Sequence, residues 1–172
     1  VLIRDAAALE TLEKIDTLVV DKTGTLTIGK PGLQQVCASP GIDGITLLRL
    51  AASVEAASEH PLARAIVERA QRDELALHAA SEFGSDPGLG AWARVDGKQV
   101  LVGNTRLLQT RQIDSAPLQA LAIPIREKGQ TAVFVAVDDQ PAGVLAIADA
   151  IKPTTPAALA ALRASGIHLI ML

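Results

Sequence analysis

Aromatic side chains are nearly missing from this sequence: there is no Tyr, two Phe and one Trp in 172 residues. Without stacking platforms, binding of single-stranded nucleic acid is disfavoured. A basic excess is missing as well. Lys and Arg number 16 against 19 Asp and Glu, a net charge of −3, so nucleic acid is not expected as a partner. The single cysteine, Cys37, permits neither an internal disulfide nor a thiolate metal cluster, which fits a reducing compartment. The three histidines, His60, His78 and His168, lie far apart and show no ligand spacing. No apolar run reaches the roughly 18 to 20 residues that span a bilayer, and the N-terminus has no signal-peptide pattern.

Apolar residues are plentiful at 49%, enough to bury a real core. An initiating Met is lacking, and the last residues fall inside the apolar run 167–172. The chain therefore reads as an excised piece of a longer protein.

Periodicity organises the chain. A short helix is expected over 5–14 with Leu9 and Leu12 on one side, then a strand over 17–20. Lys30-Pro31-Gly32 reads as a breaker and linker. Asp43 caps a helix over about 45–57, where Leu47, Leu50, Ala51 and Val54 recur at helical spacing. Pro61 opens a second helix with Leu62, Ala65 and Ile66 facing inward, completing a helical hairpin around 58–61. After a loop at 84–90 the period changes to two. Residues 91–95 and 99–102 form a hairpin turned by Asp96-Gly97, and 131–137 and 143–148 form another turned by 138–141. Helices are expected over 105–110, 115–127 and, with Thr155-Pro156 as cap and first turn, to Ser165 before Gly166. The last segment is a strand.

The short apolar strands 17–20 and 167–172 are of the kind buried in parallel sheets. The fold class is thus α/β, with residues 30–148 inserted as an α+β domain. The first segment is 1–29 and the third 149–172. Residues 21–27 read DKTGTLT directly after the first strand. In α/β folds the C-terminal edge of a parallel sheet carries the ligand chemistry. Asp21 there supplies a carboxylate nucleophile, Lys22 a positive charge, and the turn around Gly24 offers backbone N–H groups for phosphate oxygens.

This string resembles the phosphorylation signature of the P-type ATPases, a branch of the haloacid-dehalogenase-like phosphotransferases. The resemblance implies that Asp21 accepts the γ-phosphoryl group of ATP and that Mg²⁺ sits against Asp21 and the backbone carbonyl of Thr23. Hydrolases of that superfamily place a second Asp two positions after the nucleophile. Here the position is Thr23, which does no proton transfer near neutral pH, so a soluble phosphatase is disfavoured and a long-lived phosphoenzyme favoured.

Further motifs, in order, resemble those of the heavy-metal-transporting class. Glu55 with Ser58-Glu59-His60-Pro61-Leu62-Ala63, then Gly88-Leu89-Gly90, then Val102-Gly103-Asn104 match its nucleotide-binding motifs. By that resemblance Glu55, His60, Gly88, Gly90, Gly103 and Asn104 form the ATP site. The residues suit the role. Glu55 ends one helix where His60 starts the next, glycines at 88 and 90 admit a close ligand, and Asn104 both donates and accepts. Lys128-Gly129-Gln130-Thr131 and the stretch 149–153 resemble the family's return segment and hinge.

The implied architecture is an incomplete haloacid-dehalogenase-like phosphorylation domain with an inserted nucleotide-binding domain, an antiparallel sheet flanked by helical hairpins. The implied setting is the cytoplasmic face of a membrane pump, in a bacterial inner membrane, with transmembrane and actuator domains as partners. The TGD and GDGxND loops are expected beyond Leu172, so the piece alone is expected to be monomeric and nearly inactive. Glu59 before His60 leans toward copper(I) as cargo. A zinc or cadmium pump, or a non-catalytic nucleotide-binding module, stays open as the alternative.

Overall fold

The computed structural model describes residues 14–172, so the helix expected over 5–14 lies outside them except for Lys14. The chain divides into two compact units, one of residues up to Lys30 with Asp149–Leu172, the other Pro31–Ala148.

The larger unit is built on a six-stranded sheet. Its strands are β2 (Thr27–Ala38, of which 31–38 fall in this unit), β3 (Ala80–Asp86), β4 (Gly90–Val95), β5 (Lys98–Gly103), β6 (Thr131–Val137) and β7 (Gln140–Ile151, of which 140–148 fall in this unit). Their order is β2-β7-β6-β5-β4-β3, with β3 to β7 antiparallel to their neighbours. Two-residue turns join the central strands. Asp96-Gly97 and Asp138-Asp139 all take positive φ, the backbone that matches strand twist in tight hairpins.

Side chains alternate between the two faces, and each face has its own core. On one face α1 (Gly44–Glu55) and α2 (Pro61–Arg72) cover Ala91, Ala93, Val100, Val102, Val133 and Leu145. On the other, α3 (Thr105–Thr110) and α4 (Ala116–Glu127) cover Leu101, Phe134, Ala136 and Val144. The Asp43 carboxylate accepts from Thr46 N at 2.9 Å and starts α1. Pro61 stands in the first turn of α2, where its missing N–H costs nothing.

Two strands differ from expectation. Lys30-Pro31-Gly32 is no break: it lies inside β2, which ends the sheet, where a proline withholds no ladder hydrogen bond. Nor is 84–90 all loop, since β3 runs to Asp86 against β4, with an irregularity between Ser81 and Gly84. Gly84 is required there because a Cβ would fall 2.5 Å from the Trp92 ring.

The smaller unit pairs β1 (Thr17–Val20) in parallel with β8 (His168–Met171), preceded by α5 (Thr155–Ala164). Thr154, not Thr155, precedes α5 as its cap residue. Thr155 is buried inside the first turn and donates its hydroxyl to Leu26 O at 2.7 Å. Among the described residues no helix is long and apolar enough to cross a membrane.

Candidate functional site

In the larger unit, the ends of α1, β3 and β5 and the starts of β4 and β6 surround a cavity of about 400 Å³. Glu55, His60, Gly88, Gly90, Gly103 and Asn104 all line it, although they come from separate stretches of the chain. Ala91, Val102 and Val133 are buried and form an apolar floor, while His60, Asp86, Gly88 and Thr131 are exposed at the rim. The ionisable lining residues are Glu55, His60 and Asp86; no Lys or Arg lines it among the described residues. Such a lining suits a largely apolar group with a few polar edges.

Glu55 is the one acid at depth, 8% exposed at the end of α1. Burial pushes its carboxyl up to about 7, and a hydrogen bond with Ser58 partly opposes this. His60 caps α2: its Nδ1 accepts from Leu62 N at 3.2 Å, which makes Nε2 the donor in the neutral ring. The cap and a ligand contact through Nε2 are compatible, because the two nitrogens are separate.

The remaining four residues shape the cavity in different ways. Asn104 caps α3 by accepting from Arg106 N at 2.9 Å and Leu107 N at 3.2 Å, and its Nδ2 donates to Gly88 O at 2.7 Å. Its donor and acceptor are thus engaged with backbone. Gly90 and Gly103 are direct register partners. A Cβ on Gly90 would lie 2.3 Å from Val102 O, and one on Gly103 2.3 Å from Leu89 O. Their missing side chains let strand and turn pass each other, rather than opening the backbone to a ligand. Gly88 is different: its φ is +77 and a Cβ there would meet nothing within 4 Å. Reading by sequence missed Ser58, Leu62, Ser85, Asp86, Thr131 and Val133, which also line the cavity. Ser58, Leu62 and Thr131 lie within stretches already singled out; Ser85, Asp86 and Val133 carried no signal of a site.

Asp21, Lys22 and Thr23 belong to the smaller unit. Asp21 follows β1 with extended backbone at the C-terminal end of the parallel pair, and its side chain makes no capping hydrogen bond. Lys22–Leu26 then form a wide turn in which Thr23 (φ −80, ψ 123) and Gly24 (φ 76, ψ −17) depart from helical geometry. All three named side chains are exposed. Behind them, Thr27 is buried and holds the turn: Gly24 N donates to its Oγ1 at 3.0 Å. The described residues contain no group of three or more His, Cys, Asp or Glu able to hold a metal ion. A cation at this turn would meet one carboxylate and backbone oxygens, the hard donors that suit Mg²⁺, which keeps several waters.

These features have counterparts among known proteins. The chain is 44% identical over its whole length to a silver-exporting P-type ATPase of Salmonella typhimurium, covering 21% of that protein. It is also 44% identical over its whole length to a copper-exporting P-type ATPase of Legionella pneumophila, covering 23% of it. It thus spans about a fifth of the length of these relatives. A crystal structure of a zinc-transporting PIB-type ATPase superimposes with a TM-score of 0.89 at 35% identity, over 99% of this chain and 27% of that one. The haloacid dehalogenase-like hydrolase family model matches residues 15–172. With an exposed carboxylate at the C-terminal end of a parallel strand, and that match over nearly the entire sequence, the chain belongs to the haloacid dehalogenase-like hydrolase family.

Proposed function

We propose that this chain is the ATP-binding and phosphorylation region of a membrane P-type ATPase that exports heavy-metal cations. The observation that carries the reading is the convergence of Glu55, His60, Gly88, Gly90, Gly103 and Asn104 on one cavity. The nucleoside of ATP enters that cavity, base toward the apolar floor. With no cationic lining, the polyphosphate is left to project outward.

Asp21 is the acceptor. A carboxylate oxygen of Asp21 attacks the γ-phosphorus; the new O–P bond forms as the bond to the β,γ-bridging oxygen breaks, and ADP leaves with that electron pair. Lys22 adds positive charge beside the site. Thr23 offers no general base to activate water, so the aspartyl phosphate persists. Asp21 and the Thr23 carbonyl are the residues that would hold Mg²⁺, whose charge neutralises the phosphate oxygens.

The parent protein would join this region to transmembrane and actuator domains at the cytoplasmic face of a bacterial inner membrane. Copper(I) is the favoured cargo: Glu59 precedes His60, and the relatives above are named for copper and for silver, both soft when monovalent. The zinc-transporting neighbour keeps a zinc or cadmium pump as the second reading.

Titrating ATP into the ¹⁵N-labelled chain should move the amides of Glu55, His60, Gly88 and Asn104, with a Kd in the micromolar-to-millimolar range, about −4 to −8 kcal/mol. In the full-length protein, Asp21→Asn should abolish the acid-stable phosphoenzyme and leave ATP binding intact. Phosphate on the Asp21→Asn variant would mean another acceptor.

A further inference from the structure

The turn that follows Asp21 is held from outside by residues more than a hundred positions away. Asp149 is the centre. Its Oδ2 accepts the Thr27 hydroxyl at 2.5 Å, and its Oδ1 accepts Gly29 N at 2.9 Å and Lys30 N at 3.1 Å. A threonine hydroxyl has one proton. Two acceptors lie within its reach, Asp149 Oδ2 and Lys22 O at 3.1 Å, and the shorter contact to the charged carboxylate takes the proton; the hydroxyl's lone pairs then accept Gly24 N at 3.0 Å. Donors therefore run in one direction, from the Gly24 amide through Thr27 to Asp149, and such chains strengthen each other.

Lys152 closes the other side. Its Nζ donates to Gly24 O at 2.7 Å, and its backbone N donates to Leu26 O at 3.0 Å. Both peptide groups flanking the Gly24 Cα are thus tied, the N-terminal one by its N–H and the C-terminal one by its oxygen. That matters because Gly24 sits at φ 76, ψ −17, and a glycine has little steric preference of its own to keep it there. In a planar trans peptide the carbonyl points opposite to the N–H, so fixing Gly24 N–H also fixes the direction of Thr23 C=O.

The geometry points to Asp149, Thr27 and Lys152 as positioning residues for phosphoryl transfer, which lock the Thr23–Gly24 peptide and hold the Thr23 carbonyl in one direction next to Asp21. The inference rests on the proposed role of Asp21 as phosphoryl acceptor. None of the three touches the reacting atoms in it; they act through the peptide.

Two readouts test it. In the ¹⁵N-labelled chain, Thr27→Val should speed hydrogen exchange of the Gly24 amide by about ten-fold, the loss of one hydrogen bond. Asp149→Asn should speed it as well, and Thr27→Ser should leave it near wild type. The Gly88 and Gly103 amides of the cavity should not change, and the amides of β1 and β8 should keep their wild-type exchange rates, which shows that the smaller unit of each variant still folds. In the full-length protein, Thr27→Val should slow aspartyl-phosphate formation by about ten-fold or more with KM for ATP unchanged, and Thr27→Ser should restore it. An unchanged Gly24 exchange rate in Thr27→Val overturns the lock. A loosened Gly24 with wild-type phosphorylation overturns the positioning role. A wild-type protein that takes no phosphate on Asp21 removes the acceptor reading and the positioning role with it, and Gly24 exchange then decides the lock alone.

Discussion

At the scale of single residues, Glu55 carries the clearest pH dependence. Its carboxyl rises from 4.5 to about 7 because burial disfavours the anion. Between those values the folded chain holds a proton that the unfolded chain has released. Stability contributed here is therefore fullest below pH 4.5, falls as pH climbs to 7, and stays reduced above. The gap corresponds to roughly 3 kcal/mol. Glu55→Gln cannot ionise, so its urea-derived stability should match wild type near pH 4.5 and exceed it by roughly 3 kcal/mol at pH 8. Equal differences at both pH values would place the ionisation elsewhere. The glycines divide in the same spirit. Gly90→Ala drives a Cβ into the Val102 carbonyl and should cost several kcal/mol, about 3 or more. Gly88→Ala meets open space and should cost only about 1 kcal/mol for its left-handed backbone, while weakening ATP binding. Thermal melts beside ATP titrations separate the two. The glycine pair was visible as a motif; which member guards the strand and which faces open space was not, because that depends on Val102 and Gly103 across the sheet.

At the scale of elements, caps were readable and edges were not. Asp43 before α1 and Pro61 in α2 act within three residues of themselves, so their signals are local. β2 and β3 were unreadable for a shared reason: both end the sheet, where polar residues, Pro31 and a strand irregularity are tolerated. β3 carries Glu82 at φ 53 and Gly84 against Trp92, which breaks the alternation that marks a strand. Asn104 links two elements by capping α3 and holding Gly88. Asn104→Asp keeps the cap acceptor but loses the donor to Gly88 O. It should lower the melting temperature by a few degrees at most, about 1 kcal/mol, yet weaken ATP binding through a loosened 87–89 turn. A variant that binds ATP like wild type would show that this turn needs no tether.

At the scale of the whole molecule, the core is unevenly shared. Among the described residues every buried apolar side chain lies between Leu33 and Ile147, inside the larger unit, whereas Thr27 and Thr155 are the buried residues of the smaller one. A polypeptide of residues 31–148 should therefore fold alone, with a urea midpoint close to that of the full chain and the same amide shifts on ATP addition. The smaller unit has a two-stranded sheet with Val19, Ile170 and Met171 exposed, and such pairs are marginal alone. Amides of β1 and β8 should exchange orders of magnitude faster than those of β4 to β7. Similar protection in both would mean that the two units open together.

By itself the sequence determined which groups are on offer and in what order: a carboxylate after an apolar strand, a histidine before a helix-opening proline, two glycine motifs, an asparagine cap. Those follow from chemistry between near neighbours, which composition and spacing express directly. Tertiary structure alone decided what each group is free to do. It desolvates Glu55 in the cavity wall, occupies the space beside Gly90 and Gly103 with backbone, and brings Asp149 to a hydroxyl 122 residues earlier in the chain. Burial and long-range pairing are properties of the packed chain, because they depend on surfaces that only folding brings together.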